Sequence, residues 1–470
     1  LAMALSPDHP DAFGALAMAA IGACNFERIE KIKPRLKEEI LAGHKVVPPV
    51  ILLGQEDDLA LQRKCAEINL QAWLAVDPEA KADTLDVASY GNHPLRIAYM
   101  SSNFGSHPVG RQIVGVLERH DRSRHEVIGL SLGESDGSSL RYRIQSACNQ
   151  FHDLSQMSDA VAADFVKRLK VHVLVDLNCQ TEGWRPAICK RRAAPVQVNY
   201  LGYAGTAAAD FMDYVMADSQ TVPTDHEPFY SEKITRLPGS FWPSDGKRAV
   251  MESSRQANGL PEEGVVFCAF NNHHKMSHSM FACWMRLLHA VPGSILWLRS
   301  APEAVLRNLC RHAAVNNVDP ERIIFASIAS DEAHLGRHRL ADLFLDTAPY
   351  NAHSSAGDAL WMGLPVLTLK GRCFAGRVAS SMLHALDMPE LVTESLDAYE
   401  AAALALARDR SKLEASRTKL ATRLMTAPLF DEERFCANLE AAYRTMWSVA
   451  RAGAPPHSFS VQDRLQSPPA

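Results

Sequence analysis

The segment LADLFLDTAPYNAHSSAGDALWMGLPVLTL, residues 340–369, ends a loop with His353, Ser354 and Ser355 and places Asp358 one helical turn further on. The flanking apolar runs, Leu343-Phe344-Leu345 and Pro365 to Leu369, read as strands, and Gly363 reads as the stop of a short helix. A histidine and two small hydroxyls at a helix start suit a phosphate. The unpaired N–H groups and the positive dipole end attract an anion, and small side chains let it approach the backbone. Asp358 is placed to accept hydrogen bonds from ribose hydroxyls. The plain alternative is a serine cap beside a surface histidine, and this segment by itself favours the plain alternative.

Two further strand ends shift that balance. FNNHHKMS follows the strand VVFCAF and puts Lys275 at its end, while FASIASDEAHLGRHR follows RIIF and offers His334 and Arg337. Ligands of open parallel sheets bind at the carboxyl ends of the strands. Three such loops carrying Lys, Arg, His and a helix start predict a polyanion site, although each alone reads as a surface charge. NNHHKMSH also has the look of a metal-ligand run, but no nearby carboxylate or cysteine completes a set. No D-x-D pair occurs in the chain, so a metal-bridged sugar nucleotide is not expected and no cofactor is implied. Cationic side chains and a helix dipole can neutralise a departing diphosphate instead. Earlier, LRIAYMSSNFGSHPVGRQIVGVLE reads as strand, glycine-containing loop, His107, then Pro108 at the first helical position. His107 is placed either for proton transfer or phosphate contact, or simply as a helix cap.

The elements that must hold these residues come in three textures. Residues 1–90 read as helical, with apolar positions three and four apart, and ALSPDHPDAFGALA punctuates them as paired-helix repeats do. A helical extension of the body explains the same pattern equally well. Residues 91–250 alternate strands (LRIAYMSS, HEVIGLSL, VHVLVDL, PVQVNYLG, FMDYVMAD) with helices, with a charged, irregular stretch from about 236 to 260. Residues 251–450 repeat the alternation with GVVFCAFN, SILWLRS, RIIFASI, LADLFLD and PVLTL. Strands alternating with helices predict parallel sheets covered on both faces. The expected fold class is therefore α/β: two doubly wound, Rossmann-like domains facing a cleft, after an N-terminal helical region. Residues 451–470, rich in Pro and Ser, read as a disordered tail.

Bulk properties exclude several classes. The chain has 470 residues, 47% hydrophobic and 22% charged, with a net charge of -5. That is ordinary globular composition, and it gives no electrostatic footprint for nucleic acid. The ten cysteines form no C-x-x-C pair and read as buried free thiols of a reducing, cytoplasmic protein. No apolar run reaches the length of a membrane span and no charged-then-apolar leader opens the chain. The sequence starts at Leu1, which leaves open what lies upstream.

Five stretches carry a family resemblance: IAYMSSNFGSHPVG, VDLNCQTEGWRP, APVQVNYLGYAGTAAADFMDY, YSEKITRLPGSFWP and AHSSAGDALWMGLPVLTLKGRCFAGRVASS. Together, in this order over about residues 93–445, they resemble the O-linked N-acetylglucosaminyltransferase family. That resemblance implies a GT-B fold, often preceded by tetratricopeptide repeats. It implies inverting, metal-independent transfer of N-acetylglucosamine from UDP-GlcNAc to Ser or Thr hydroxyls of a protein or peptide. His107 matches the family's active-site histidine, whether base or positioning group. Lys275 matches the lysine that neutralises the leaving diphosphate, and Asn272 stands where animal enzymes have Gln. Ala329, Ser330 and Asp331 match a uracil-contacting backbone segment, with Asp331 replacing a Lys. His334, Leu335, Gly336 and Arg337 match a second uridine segment, with His334 stacking on the base. His353, Ser354 and Ser355 match the diphosphate-holding His-Thr-Thr, and Asp358 the ribose aspartate. Tyr203, Gly205 and Thr206 of YLGYAGT are expected on the sugar and acceptor side, with Ala204 in place of a common Pro. NCQT replaces N-G-x-T, which puts the bulk of Cys179 and Gln180 near the acceptor. Rival readings are transfer of another sugar such as glucose, transfer to Asn, a UDP-GlcNAc epimerase, and a helical-repeat scaffold with a degenerate pocket.

Overall fold

The computed structural model describes residues 10–91 and 94–463. The helix end expected before Pro10, and the tail beyond 463, lie outside the described residues. The chain divides into two compact units. One takes the described residues up to Val47, Ile51–Gln62 and Arg248–Ala427; the other takes Pro48–Val50, Arg63–Lys247 and the described residues from Pro428.

The second of these units is built on β1 (Leu95–Ser101), β2 (His125–Ser131), β3 (Gln150–Asp153), β4 (Val173–Asp176), β5 (Val196–Asn199), β6 (Tyr214–Asp218) and β7 (Lys233–Leu237). The other holds β8 (Val266–Ala269), β9 (Ile295–Leu298), β10 (Ile323–Phe325), β11 (Leu343–Leu345), β12 (Val366–Leu369) and β13 (Val392–Thr393). Both sheets are parallel, ordered β7-β6-β5-β4-β1-β2-β3 and β10-β9-β8-β11-β12-β13. A strand such as β8 runs as an unbroken apolar stretch because helices cover both faces, and all of Val266–Ala269 is buried. In each sheet the order reverses beside the first strand: between β1 and β4, and between β8 and β11. Those two reversals are where such sheets open a crevice at their strand ends.

Four strands escaped the sequence pattern. β3 is the polar edge QFHD, β7 carries Lys233 and Arg236, and β13 has two residues. The fourth, β14 (Phe459–Ser460), corrects the expectation of a disordered tail from 451. It pairs parallel with Thr235 and Arg236 of β7, and Ser458 Oγ accepts from Ile234 N at 3.0 Å. The domain boundary at 450 is corrected too. The helix Glu432–Arg451 buries Phe435, Cys436, Leu439, Tyr443, Met446 and Trp447, an i, i+3/i+4 stripe, and packs on β5 and β7 of the first sheet. The N-terminal region is helical as expected, with Pro10–Gly22 packed on Phe26–Leu41, then Pro49–Leu52 and Leu59–Leu74. Among the described residues all ten cysteines are free, eight of them buried, and no helix is long and apolar enough to cross a membrane.

The last helix is anchored by a buried carboxylate. Glu440 accepts from His120 Nδ1 at 3.0 Å and from Asp121 N at 2.8 Å, with His125 Nδ1 3.2 Å away. Tyr99 OH lies 2.8 Å from the other His120 nitrogen, and Arg444 donates to His125 Nε2 at 3.2 Å. His120, Cys436 and Glu440 lie close enough to share an ion, yet both nitrogens of His120 are already bonded to protein. The histidines and the Asp121 amide hold Glu440 well below the usual carboxylate range against the opposing effect of burial. A depressed folded value stabilises above the unfolded pKa of about 4.3 and is lost as pH falls below it. Glu440→Ala is therefore expected to cost about 3 kcal/mol at pH 7, with the difference from wild type shrinking as pH falls below about 4. Denaturant unfolding across pH checks both.

Candidate functional site

The crevice between β8 and β11 gathers most of the residues singled out above. β8 is followed by Phe270, Asn271 and Asn272, and a single 3-10 turn, His273–Lys275, carries the lysine. Ser277 caps the following helix by accepting from Met280 N at 3.4 Å and also donates to Ala348 O at 2.7 Å. That second bond ties the β8 loop to the β11 loop. Lys275 Nζ donates to Asn351 O at 3.0 Å and sits 3.7 Å over the Tyr350 ring. Both partners favour a cation without neutralising it. Among the described residues no carboxylate lies at ion-pair distance from Lys275. Burial lowers its pKa to about 7, with Asp346 opposing.

Asp346, which sequence reasoning did not single out, organises the β11 loop. Its side chain accepts from Thr347 N at 2.7 Å, Ala352 N at 2.6 Å and Thr368 Oγ1 at 2.7 Å. The loop 347–352 is thereby drawn around one carboxylate, which burial raises to about 7. The visible signal was an acidic residue closing the apolar run LFLD. Tyr350 and Asn351, the partners of Lys275, lie within this loop and carry no sequence signature of their own.

At the loop's end His353 precedes the helix Ser354–Trp361, as expected, and Gly363 stops it with a φ of +77°. His353 does not cap that helix with its side chain. Its Nε2 donates to Ala375 O at 3.1 Å, so the neutral ring keeps its lone pair on Nδ1. Burial and then Lys275 push its pKa well below the ordinary histidine value. The anion-attracting groups here are consequently the first backbone N–H groups of the helix and the serine hydroxyls. Ser355 Oγ, 3.4 Å from Phe270 O, links this helix back to the end of β8.

Asp358 is 8% exposed and paired with Arg248. Arg248 was missed because it falls in the stretch read as irregular. His334 lies 5.4 Å from Phe270 and 5.1 Å from His338, ring to ring, which anchors it in an aromatic cluster with Trp297. Its neighbours have internal duties. Leu335 is core, and a Cβ on Gly336 would meet Met251 O at 1.8 Å. Arg337 was expected among the anion-facing cations. Instead it is 5% exposed, donates to Ser327 O at 3.0 Å and lies over Trp297 at 5.9 Å, bracing the preceding loop from within. Ala329, Ser330 and Asp331 are exposed; Ser330 caps the helix Asp331–Arg337, and Asp331 sits at its positive end. The Asn272 Oδ1 and His274 Nε2 atoms are buried with no protein partner. Burial keeps His274 neutral by lowering its pKa to about 3.

In the other unit His107 lies at the β1–β4 reversal. It caps the helix Pro108–Arg119, its Nδ1 accepting from Val109 N at 3.2 Å. That bond fixes the neutral tautomer with the proton on Nε2, so Nε2 can donate but cannot take a proton. Desolvation, then Arg111, lowers its pKa. Beside it Ser102 N donates to Asn178 Oδ1 at 2.8 Å, joining the two strand-end loops. Cys179 and Gln180 do not add bulk at a surface. Both are buried in left-handed backbone, φ +35° and +43°, and Gln180 Nε2 donates to Ala66 O and Ala207 O. A turn needing positive φ makes the family's glycine intelligible there. Tyr203 is buried over Gly205, where a Cβ would meet its ring at 2.8 Å. Thr206 Oγ1 donates to Glu232 Oε2 at 2.6 Å, and Glu232 Oε1 accepts from Ala207 N at 2.7 Å and Asn199 Nδ2 at 3.0 Å. Glu232 was a further residue that sequence reasoning passed over.

The pattern of glycosyl transferase family 41 matches residues 60–251 and 244–439. A probable UDP-N-acetylglucosamine–peptide N-acetylglucosaminyltransferase of Arabidopsis thaliana is 36% identical over 375 residues, 78% of this chain and 38% of its own. The enzyme of that name from Caenorhabditis elegans is 28% identical over 496 residues, 81% of this chain and 43% of its own. This chain thus spans about two fifths of the length of these curated relatives. A mutant of the O-GlcNAc transferase of Thermobaculum terrenum superposes with a TM-score of 0.81 at 28% identity, covering 96% of this chain and 86% of that one.

The electrostatics give a direct test. The Lys275 amine titrates near 7, so it is expected to be acylated by an amine-reactive reagent at pH 7–8, ahead of ordinary lysines. Asp346→Asn removes the charge that supports the ammonium, and the labelling midpoint should move lower still. Mass-spectrometric titration of Lys275 labelling in both chains reads it; a midpoint near 10 would contradict the site's electrostatics.

Proposed function

Because the chain belongs to glycosyl transferase family 41, we propose that it transfers N-acetylglucosamine from UDP-GlcNAc to Ser or Thr hydroxyls of a protein, with inversion and without metal. Its fold is of the GT-B class, two parallel α/β sheets. The observation that carries the reading is the under-solvated ammonium of Lys275, held on Asn351 O and Tyr350 beside a helix start at the β8–β11 reversal. Both relatives' names and the Thermobaculum match support the same donor and acceptor class. The ten free thiols fit a reducing, cytoplasmic setting.

In the proposed reaction a hydroxyl oxygen attacks C1 of the sugar as the bond from C1 to the β-phosphate oxygen breaks, and the hydroxyl proton passes to solvent or to the departing diphosphate. Negative charge grows on the departing diphosphate. A diphosphate offers Lys275 the full counter-charge that Asn351 O and the Tyr350 face do not, so the amine becomes a better cation as charge develops. Only the part of that gain specific to the transition state raises the rate. The serine hydroxyls and the first N–H groups of the helix Ser354–Trp361 hold the diphosphate, and Asp358 takes the ribose hydroxyls in exchange for part of its pairing with Arg248. Asn272 and His274, with unpartnered buried polar atoms, suit further donor contacts. His107, whose Nε2 carries a proton, fits a positioning hydrogen-bond donor better than a base.

The deciding experiment is Lys275→Ala assayed for transfer from UDP-GlcNAc to peptide and for UDP affinity, each with and without EDTA. Turnover is expected to fall by roughly 3–4 kcal/mol in the barrier, a hundred-fold or more, with a much smaller loss of UDP affinity and no effect of chelation. Wild-type turnover in the folded variant, or loss of activity on chelation, would overturn the mechanism. Asp358→Ala should weaken UDP binding by roughly 1–3 kcal/mol, the cost of leaving hydrogen-bond partners stranded. Isothermal titration with UDP reads that loss.

A further inference from the structure

We propose that Asp57, from the loop before the helix Leu59–Leu74, is a positioning residue for the diphosphate-binding segment at His353. This rests on the nucleotide reading above. The Asp57 carboxylate accepts two consecutive backbone N–H groups, Arg372 N at 2.7 Å on Oδ2 and Cys373 N at 2.8 Å on Oδ1. These amides open the turn 371–376, which closes on itself through Gly371 N to Gly376 O at 2.6 Å and Gly376 N to Cys373 O at 3.0 Å. The far side of that turn presents Ala375 O. This one carbonyl accepts from His353 Nε2 at 3.1 Å and from Asn351 N at 3.0 Å, and Asn351 O in turn holds Lys275. One carboxylate therefore sets the turn, and the turn sets both His353 and the carbonyl under Lys275.

The geometry leaves little slack. A Cβ on Gly376 would meet Pro349 O at 2.5 Å, and one on Gly371 would meet Asp57 Oδ2 at 3.1 Å, so the turn is pressed between Asp57 and the β11 loop. The same N-terminal segment grips the Lys275 turn as well. A Cβ on Gly54 would meet His274 O at 2.7 Å, and Cys24 Sγ donates to His273 O at 3.5 Å. The helical region ahead of the first sheet thus braces two of the loops that form the anion site. Bidentate acceptance of two adjacent N–H groups needs an ionised carboxylate; an amide in its place would set an N–H against one of them.

The test measures UDP affinity, steady-state kinetics and backbone hydrogen exchange on the full chain. In Asp57→Asn the Kd for UDP and the KM for UDP-GlcNAc should rise about tenfold or more, the loss of a charge-assisted hydrogen bond, and kcat should fall too, though far less than in Lys275→Ala, because the carbonyl under Lys275 moves with the turn. Exchange at the Arg372 and Cys373 amides should accelerate without a general rise elsewhere. Asp57→Glu, which keeps both acceptor oxygens, should recover part of the affinity. Gly371→Ala, which crowds the same carboxylate, should repeat the KM effect if Asp57→Asn is too unstable to assay. Wild-type donor affinity in folded Asp57→Asn, or unchanged exchange at the two amides, overturns the assignment. A wild-type chain that does not bind UDP overturns the nucleotide reading instead, and the exchange at the two amides then decides the clamp by itself.

Discussion

A lysine that has lost part of its hydration without gaining a carboxylate is the constraint on which the rest of the site depends. Lys275 is half-buried against a carbonyl and a ring face, which hold an ammonium but do not neutralise it. Moving it outward would restore hydration, so something must fix the loop that confines it. That is the task of Asp346, whose three short hydrogen bonds, two of them to amides of its own loop, fold residues 347–352 under the amine. A stable arrangement that leaves a cation under-compensated is strain in an electrostatic sense, and it is relieved when an anion arrives.

The strand order explains why such loops meet. In both sheets the first strand lies centrally and the connection reverses beside it, so the loops after β8 and β11, and those after β1 and β4, leave neighbouring strand ends in opposite directions. Each reversal is then stitched by a polar side chain from one loop to the other. Ser277 bonds Ala348 O across one, and Asn178 bonds Ser102 across the other. Each of these two side chains pairs a backbone group of the neighbouring loop.

Much of this was legible in the sequence, and the limits have physical causes. Ten strands stood out because two-sided burial favours largely apolar runs, and Lys275, His353 and Ser354 stood near their ends. β3, β7, β13 and β14 did not, because edge and terminal strands need little apolar surface and carry charge or Ser instead. Arg337 misled for a related reason. A guanidinium in a helix reads as surface charge, but this one lies 5.9 Å from the Trp297 ring and donates to Ser327 O, and it is buried even though its Nε finds no partner. Glu232, Arg248 and Asp57 were missed because nothing local marks a carboxylate or guanidinium whose partner lies tens or hundreds of residues away, whereas Asp346 bonds mostly within its own loop and left only the acidic close of LFLD as a signal.

The histidines mark where residue type stops and geometry begins. Sequence placed His107 and His353 at strand-end loops, each fit to give, take or merely hold a proton. Their backbone partners decide which. Val109 N–H occupies Nδ1 of His107, leaving Nε2 a donor; Ala375 O claims Nε2–H of His353, leaving Nδ1 an acceptor; His334 O and Leu335 O take Nδ1–H of His338. Desolvation lowers the pKa of all three, although His107 is solvent-exposed, and so favours their neutral rings. At the β8–β11 reversal the attraction of an anion is therefore left to Lys275, to the peptide dipoles of the helix start and to guanidiniums such as Arg299, whose charge acts on His274. A cluster rich in imidazoles on paper thus offers its charge through far fewer groups. That is why the position of the loop holding the amine matters more than the number of basic residues around it.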